Sequence, residues 1–224
     1  HYTVSQLGLE APQADAHAQA TGSRLVLDVA TGTGDLAFET LVQRPDARVV
    51  GLDFVPEMLV LAQQKERTTG ENGRTAYPLE EATELAAGPL ALLAGDALRS
   101  PFPDGTFDAV VTGFALRNVT DIPAAFAEMA RVTRFGGRVA CLEIAKPQTP
   151  FFKRLFALYF YRLVPLLGGW ITGQRTAYTY LPHSLSAFLN PDEIAAVMSQ
   201  TGWQEVSYKR LMLGTVAVHV GIRG

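Results

Sequence analysis

Two hydrophobic patterns alternate between Arg24 and Ile144. The short runs "RLVLDVA", "ARVVGLD", "LALLAGD", "FDAVVTGF" and "GGRVACLEI" are continuously apolar and β-rich, as strands buried on both faces of a parallel sheet are. Between them the period changes to that of a helix, over Asp35 to Gln43, Pro56 to Glu66 and Ile122 to Thr133. In the third of these, Phe126, Met129, Ala130 and Thr133 share one face. Thr120 and Asp121 are natural caps for its start, Pro123 suits its first turn, and Gly136-Gly137 is expected to end it. Strands and helices in this alternation predict a doubly wound α/β sheet, with its ligand at the carboxyl ends of the strands near the switch in strand order.

Beyond Pro147 the alternation lapses. A further helix is predicted from Pro191 to Thr201, followed by "WQEVSYKRL" and "GTVAVHVGI". These two are joined so closely that they must form an antiparallel hairpin, which brings the sheet to seven strands. Thr68 to Leu90 reads as a long polar connection, of the kind that elaborates a fold or moves on its surface. Phe151 to Trp170, "FFKRLFALYFYRLVPLLGGW", is a block rich in aromatic residues. Lys153, Arg154 and Arg162 interrupt it, and Pro165 and Gly168-Gly169 break its helix, so it falls short of the roughly 20 apolar residues that cross a bilayer.

The composition narrows the function. With 224 residues, 48% hydrophobic and 18% charged, the chain can bury one sizeable core and is expected to be one domain. A formal charge of −3 supplies no broad attraction for nucleic acid. The single cysteine, Cys141, excludes an internal disulfide and suits a reducing compartment. His1 to Ser23 is an Ala/Gln-rich polar stretch without the apolar segment of a secretory leader, so a cytoplasmic setting is expected. His1, His17, His183 and His219 show no metal-ligand spacing, and no metal is expected.

The first strand runs into "LDVATGTGDLA", which sets Asp28, Gly32 and Gly34 at a D-x-x-x-G-x-G spacing. Such a loop brings backbone N–H groups against a ligand beside a helix amino terminus. It also fits the G-x-G-x-x-A dinucleotide fingerprint, so by itself it marks either NAD or S-adenosylmethionine. Asp53 closes the second strand, where a carboxylate accepts ribose hydroxyls, and both cofactors carry that ribose. The third strand separates them. "GDALRSPFPDGTFD" resembles the adenine-binding "GDA" and the signature after it in methyltransferases, which puts Asp96 and Ala97 at the adenine; the alternative is that Asp96 only caps a turn. Phe102 and Phe107 are expected to wedge that loop while Asp104-Gly105 turns it.

With "DVATGTGDL", "GLDFVPEML", "FALRNVTD", "LEIAKP" and "GTVAVHVG" together, the chain resembles the C-methyltransferases of menaquinone and ubiquinone biosynthesis, the demethylmenaquinone methyltransferase type, over Leu25 to Arg223 apart from the loop after Arg67. The resemblance implies a class I S-adenosylmethionine-dependent methyltransferase, with Thr33 in the glycine turn, Asp53 on the ribose, and Asp96 with Ala97 at the adenine. Gly113 stands where relatives often have a serine touching the methionine end of the cofactor, and Phe135 stands where "KPGG" puts a proline. The Tyr-Asp pair with which relatives help cover the cofactor is not found in residues 1–23.

The implied substrate is a prenylated quinol, most simply demethylmenaquinol, with the benzoquinol precursor of ubiquinol as the alternative. Residues 24–147 would form the cofactor core, 148–190 a cover for the substrate, and 191–224 the closing helix and hairpin. The aromatic block would then be an apolar mouth for the isoprenoid tail, walled by Phe152, Phe156 and Tyr178, with its basic residues meeting lipid headgroups in transient contact at the inner membrane face. The plainer alternative packs it into a domain core or a homodimer. Arg117 and Asn118, at the lip of the fourth strand, are suited to hold the oxyanion that develops on the ring. His183 is the candidate base, with a water relayed through Arg117 as the alternative. Two rival functions are a small NAD(P) reductase, for which no Tyr-x-x-x-Lys pair is found, and a non-catalytic lipid-binding protein on the same fold, which would not need Arg117 and Asn118.

Overall fold

The computed structural model describes residues 1–9, 24–69, 88–146 and 189–224. The long connection after Thr69, the aromatic block, His183, Phe152, Phe156 and Tyr178 lie outside the described residues.

Seven strands form one sheet in the order β3-β2-β1-β4-β5-β7-β6. The first five, β1 (Leu25–Val29), β2 (Arg48–Asp53), β3 (Leu90–Ala94), β4 (Phe107–Gly113) and β5 (Thr133–Ile144), pair in parallel. β6 (Trp203–Leu211) and β7 (Val216–Arg223) pair antiparallel as a hairpin, and β7 docks antiparallel on β5. The chain runs outward from β1 to β3 and then returns to the other side of β1 with β4. The switch in strand order therefore falls between β1 and β4, where a doubly wound sheet opens a crevice at its carboxyl edge.

Alternate side chains of each strand supply two cores. On one face Leu27, Val110, Val139 and Cys141 cluster with Phe126 and Met129 of α4 (Ile122–Val132), Ile194 and Met198 of α5 (Pro191–Gln200), and Trp203. Trp203 Nε1 donates to the Phe126 carbonyl at 3.1 Å, so its one polar atom is satisfied in the core. On the other face Val26, Val49, Ala109, Val111 and Ala140 meet Ala37 of α2 (Asp35–Gln43). The amino-terminal stretch is less uniformly polar in effect than its composition implies. Tyr2–Ser5 forms a short helix, α1, and Val4, Leu7 and Leu9 complete this second core.

Helix α4 starts at an expected cap. The Asp121 side chain accepts the Ala124 N–H at 2.9 Å, with Pro123 in the first turn of α4. At α5, Asn190 accepts the amides of Asp192 and Glu193 while Glu193 Oε2 accepts the Asn190 N–H at 2.6 Å, a reciprocal capping box. One expected boundary moves. Helix α4 ends at Val132, before the Gly136-Gly137 pair, because Thr133 turns extended and pairs with Phe107. The glycines instead build the register shift of β5 against β4: Gly136 is left-handed (φ 74°), and a β-carbon on Gly137 would lie 2.7 Å from the Asp108 carbonyl oxygen.

A polar network ties α4 to the loop before β4. Glu128 Oε1 accepts both the amide and the hydroxyl of Ser100 at 2.7 Å, and the Arg131 guanidinium joins Glu128 to Asp104. Phe102 and Phe107 meet edge to face at 4.9 Å inside that loop, and Gly105 turns it with φ 65°. Hydrogen bonds from Arg131 hold the Glu128 carboxyl down to about 2. A depressed pKa gives stability that is present above the ordinary value near 4.5 and lost as pH falls towards 2. Glu128→Ala is therefore expected to cost roughly 1–3 kcal/mol at pH 7 in urea unfolding, and the difference from wild type should shrink below pH ~4.5.

Candidate functional site

The turn after β1 is built around hydrogen bonds that leave its glycines little choice. Asp28, the fourth residue of β1, is buried beneath the turn, and Thr31 Oγ1 donates to its Oδ2 at 2.6 Å. The Thr31 amide reaches across to the Leu52 carbonyl at 3.0 Å, and the Gly34 amide folds back to the Thr31 carbonyl at 2.8 Å. To follow this path Ala30, Gly32 and Gly34 all take positive φ, at 55°, 56° and 80°. Gly34 is the left-handed N-cap of α2, so the helix begins directly out of the turn, and a β-carbon there would lie 2.8 Å from Phe38 Cε2.

Asp53, at the end of β2, joins this turn to two others. Its Oδ2 accepts the Gly32 amide at 2.7 Å and its Oδ1 accepts the Val55 amide at 2.9 Å. Its carbonyl takes the Gly95 amide at 2.9 Å, which fixes the chain just before Asp96. Each carboxylate oxygen keeps a second lone pair, so the group remains able to accept from a ligand hydroxyl. Asp96 is exposed; its Oδ1 accepts the Leu98 amide at 2.9 Å, the turn-capping arrangement, beside a half-buried Ala97. Thr33 is half-buried and its hydroxyl donates to Asp35 at 2.8 Å, while Asp35 also pairs with Lys65 of α3 (Pro56–Thr69). Gly113 ends β4 against α2: a β-carbon would lie 2.8 Å from Leu36 Cδ1, so a larger residue here requires Leu36 to move.

Arg117 and Asn118 occupy a 3₁₀ turn, Leu116–Asn118, just past β4. Leu116 is buried and anchors the turn, Arg117 is half-buried, and Asn118 is exposed. The turn after β1 and the turn after β4 are thus neighbours at the switch point, with Asp53 and Asp96 following in strand order on the β2 and β3 side. Together these have the parts that could hold a nucleoside-type cofactor: a glycine turn feeding a helix amino terminus, a carboxylate at the next strand end and a polar residue after the third. No three His, Cys, Asp or Glu side chains come together as metal ligands among the described residues. Nor, among them, is any helix long and apolar enough to cross a membrane.

Several residues of this edge were not legible in the sequence. Ala30 and Phe114 carry side chains yet hold left-handed backbone (φ 55° and 56°) at the ends of the two central strands, and nothing in their residue types announces it. Thr31, the hydroxyl that satisfies Asp28, had a signal in its spacing three residues on. So did Glu143, a carboxylate inside the apolar run "VACLEI". Its side chain is buried and accepts the Leu116 amide at 2.8 Å.

A seven-stranded sheet of this order, with a glycine turn at its switch point and an antiparallel hairpin closing one side, is the fold of Rossmann-like methyltransferases. Among solved structures, an S-adenosylmethionine-dependent methyltransferase from Aquifex aeolicus matches at TM-score 0.56 and 15% identity over 91% of this chain and 84% of that one. Phosphoethanolamine N-methyltransferase 2 from Haemonchus contortus, in complex with S-adenosyl-L-methionine, matches at TM-score 0.61 and 12% identity over 99% of this chain and 52% of that one. At these identities the likeness concerns the fold. Sequence is more specific: residues 12–223 match the model of the ubiE/COQ5 methyltransferase family, and the chain belongs to that family. Demethylmenaquinone methyltransferase from Roseiflexus castenholzii is 44% identical over 88% of this chain and 75% of its own. The ubiquinone/menaquinone biosynthesis C-methyltransferase UbiE of a Geobacter species is 36% identical over 90% of this chain and 80% of its own.

Burial pushes the Asp28 carboxyl up to about 7, against the opposing pull of its Thr31 hydrogen bond. A raised carboxyl pKa means the folded state holds its proton longer, so this contribution to stability is complete below the ordinary value near 3.8 and lost as pH rises through about 7. Asp28→Asn keeps an acceptor for Thr31 and removes the buried charge. The unfolding free energy of the variant, relative to wild type, is expected to rise between pH ~4 and ~7 by roughly 1–4 kcal/mol. A pH-independent difference would show that folding leaves the Asp28 pKa unshifted.

Proposed function

We propose that the chain is an S-adenosylmethionine-dependent C-methyltransferase whose acceptor is the ring of a prenylated quinol, demethylmenaquinol in the first instance. Family membership supports the reaction class, and the more similar of the two relatives above carries the demethylmenaquinone name. The observation that carries the reading is the adjacency of two turns: the glycine turn after β1 and the Arg117–Asn118 turn after β4 share one end of neighbouring strands. A cofactor held by the first lies beside donors offered by the second.

In this reading Gly32, Thr33 and Gly34 line the methionine side, Asp53 accepts from the ribose, Asp96 and Ala97 meet the adenine, and Gly113 contributes backbone. Asp28 works from below, by holding Thr31. The bound cofactor supplies an electrophilic methyl on a sulfonium. The quinol would lose an O–H proton, the ring carbon of the resulting phenolate would take that methyl as the sulfur–carbon bond breaks, and the same carbon would then shed its own proton as the oxygen takes one back, restoring the quinol. Arg117 and Asn118 would hold the phenolate oxyanion that precedes methyl transfer, in a site whose donors are already oriented. His183 is the proposed base. Residues 24–147 supply the cofactor core of one domain, 148–190 the cover over the acceptor and 191–224 the closing hairpin.

An acceptor with an isoprenoid tail requires apolar surface near the same edge. Phe54, Phe114, Met212 and Leu213, all at or near the carboxyl ends of the parallel strands, expose 76%, 39%, 74% and 69% of their surface. In the proposed mouth Phe152, Phe156 and Tyr178 would meet the tail, and transient contact of Lys153, Arg154 and Arg162 with the inner membrane face would bring the substrate within reach.

Two experiments test this. Purified protein should bind S-adenosylhomocysteine and not NADH by calorimetry, and Arg117→Ala should keep that affinity within a few-fold while slowing single-turnover methylation of a demethylmenaquinol about a hundredfold or more. Lost affinity with a retained rate would remove Arg117 from the chemistry, and turnover of the benzoquinol alone would change the acceptor. Separately, Phe152→Ser with Phe156→Ser should raise KM for a long-tailed quinol far more than for a tailless analogue, since each buried isoprene contributes about 25 cal/mol per Å². An unchanged ratio with a fallen Tm would assign those residues to the core.

A further inference from the structure

The end of β5 supports the turn that carries Arg117 and Asn118 at two successive points. The Leu142 carbonyl accepts the Phe114 amide at 2.8 Å, and the Glu143 side chain accepts the Leu116 amide, also at 2.8 Å. The first contact continues the pairing of β4 with β5, whose register ends at Gly113 and Leu142. The second is made by a side chain and has no counterpart in sheet geometry. Glu143 is 1% exposed, and its second oxygen, Oε2, is buried without a hydrogen-bond partner among the described residues.

A buried carboxyl with one idle oxygen is a costly choice. If the position served only the core, an apolar residue matching Cys141 and Val139 on the same face would be more stable. Burial pushes the Glu143 carboxyl up to about 7, opposed by the Leu116 amide and by the charge of Arg117. An anchor for an amide needs only an oxygen lone pair, so this contact survives protonation.

We propose that Glu143 is a positioning residue for the methyl transfer: by accepting the Leu116 amide it fixes the 3₁₀ turn and so aims Arg117 and Asn118 at the acceptor. This inference rests on the role given to Arg117 above. It assigns no contact between Glu143 and the substrate. Among the described residues, the backbone hydrogen bonds from Asn118 to Ala115 and from Val119 to Leu116 stay within the turn, so the Phe114–Leu142 contact, Glu143 and buried Leu116 set its position relative to the sheet. Phe114, left-handed just before the turn, leaves the backbone there in a sparsely populated conformation that needs such outside support.

The test uses three substitutions read by single-turnover methylation, S-adenosylhomocysteine affinity and Tm. Glu143→Gln keeps length and an accepting oxygen but removes the charge; its rate should stay within about fivefold of wild type, because the Leu116 amide is still satisfied. Glu143→Asp keeps the charge but shortens the reach by one methylene, and Glu143→Ala removes the acceptor. Both should slow methylation on the order of a hundredfold, the usual cost of misplacing a catalytic group by about 1 Å, with cofactor affinity within a few-fold. Glu143→Asp combined with Arg117→Ala should be slower than Arg117→Ala alone by much less than the factor of Glu143→Asp by itself, since only the aim of Asn118 is left to lose.

Charge-dependent behaviour, with Glu143→Asp active and Glu143→Gln slow, would overturn the proposal. So would a wild-type rate in Glu143→Ala, a loss of cofactor affinity that parallels the loss of rate, or additive effects in the double variant. If Arg117→Ala itself methylates normally, the role of Arg117 fails and the inference falls with it; if Arg117→Ala is slow and the double variant is slower still by the full factor of Glu143→Asp, only the inference fails.

Discussion

Three loops at the carboxyl edge depend on where the Asp53 carboxylate and carbonyl send their hydrogen bonds. One side chain takes the Gly32 amide from the turn after β1 and the Val55 amide from the turn into α3, and the main chain of the same residue takes the Gly95 amide after β3. A backbone N–H turned away from water needs an acceptor, and Asp53 supplies one to each of these partly covered amides. Asp53 meets all three from the end of one strand. The parallel register of β2 with β1 and β3 brings those amides within reach, which makes the shape of this edge a consequence of sheet pairing.

The same edge accepts buried charge as a cost of its shape. Asp28 and Glu143 both lie within the sheet, both are pushed up to about 7 by burial, and each holds a turn: Asp28 through Thr31, Glu143 through Leu116. They stand on β1 and β5, either side of β4, and on opposite faces, since Asp28 alternates with Val26 of one core and Glu143 with Cys141 of the other. An apolar residue would stabilise either position, and neither would then orient a loop. Backbone strain follows the same distribution, because Ala30 and Phe114 are left-handed where β1 and β4 release the chain into the two turns. Such conformations cost of order 1–3 kcal/mol each and persist where the surrounding hydrogen bonds over-determine them.

Stability comes from elsewhere in the molecule. The network of Glu128, Arg131, Asp104 and Ser100 secures the loop before β4, the capping box secures α5, and Trp203 closes the core between α4 and the hairpin. The Glu128 network and Trp203 lie toward the amino ends of the central strands, away from the turns of the carboxyl edge.

The order of strands and helices, the hairpin, the caps of α4 and the glycine turn were legible in sequence, because hydrophobic period and turn chemistry are local properties of the chain. Asp53 was legible as a candidate by its place at the end of a strand, and Arg117 with Asn118 by the motif in which they stand. Sequence alone could not show that Gly136-Gly137 builds a register shift instead of ending a helix, because that depends on Thr133 finding Phe107 across the sheet. It could not show that Leu7 and Leu9 belong to the core, nor that Ala30 and Phe114 are left-handed. Glu143 illustrates the division most plainly. A glutamate in an apolar run is visible to anyone reading the chain, but the amide that it serves lies 27 positions away and is brought within 2.8 Å only when β4 and β5 lie side by side.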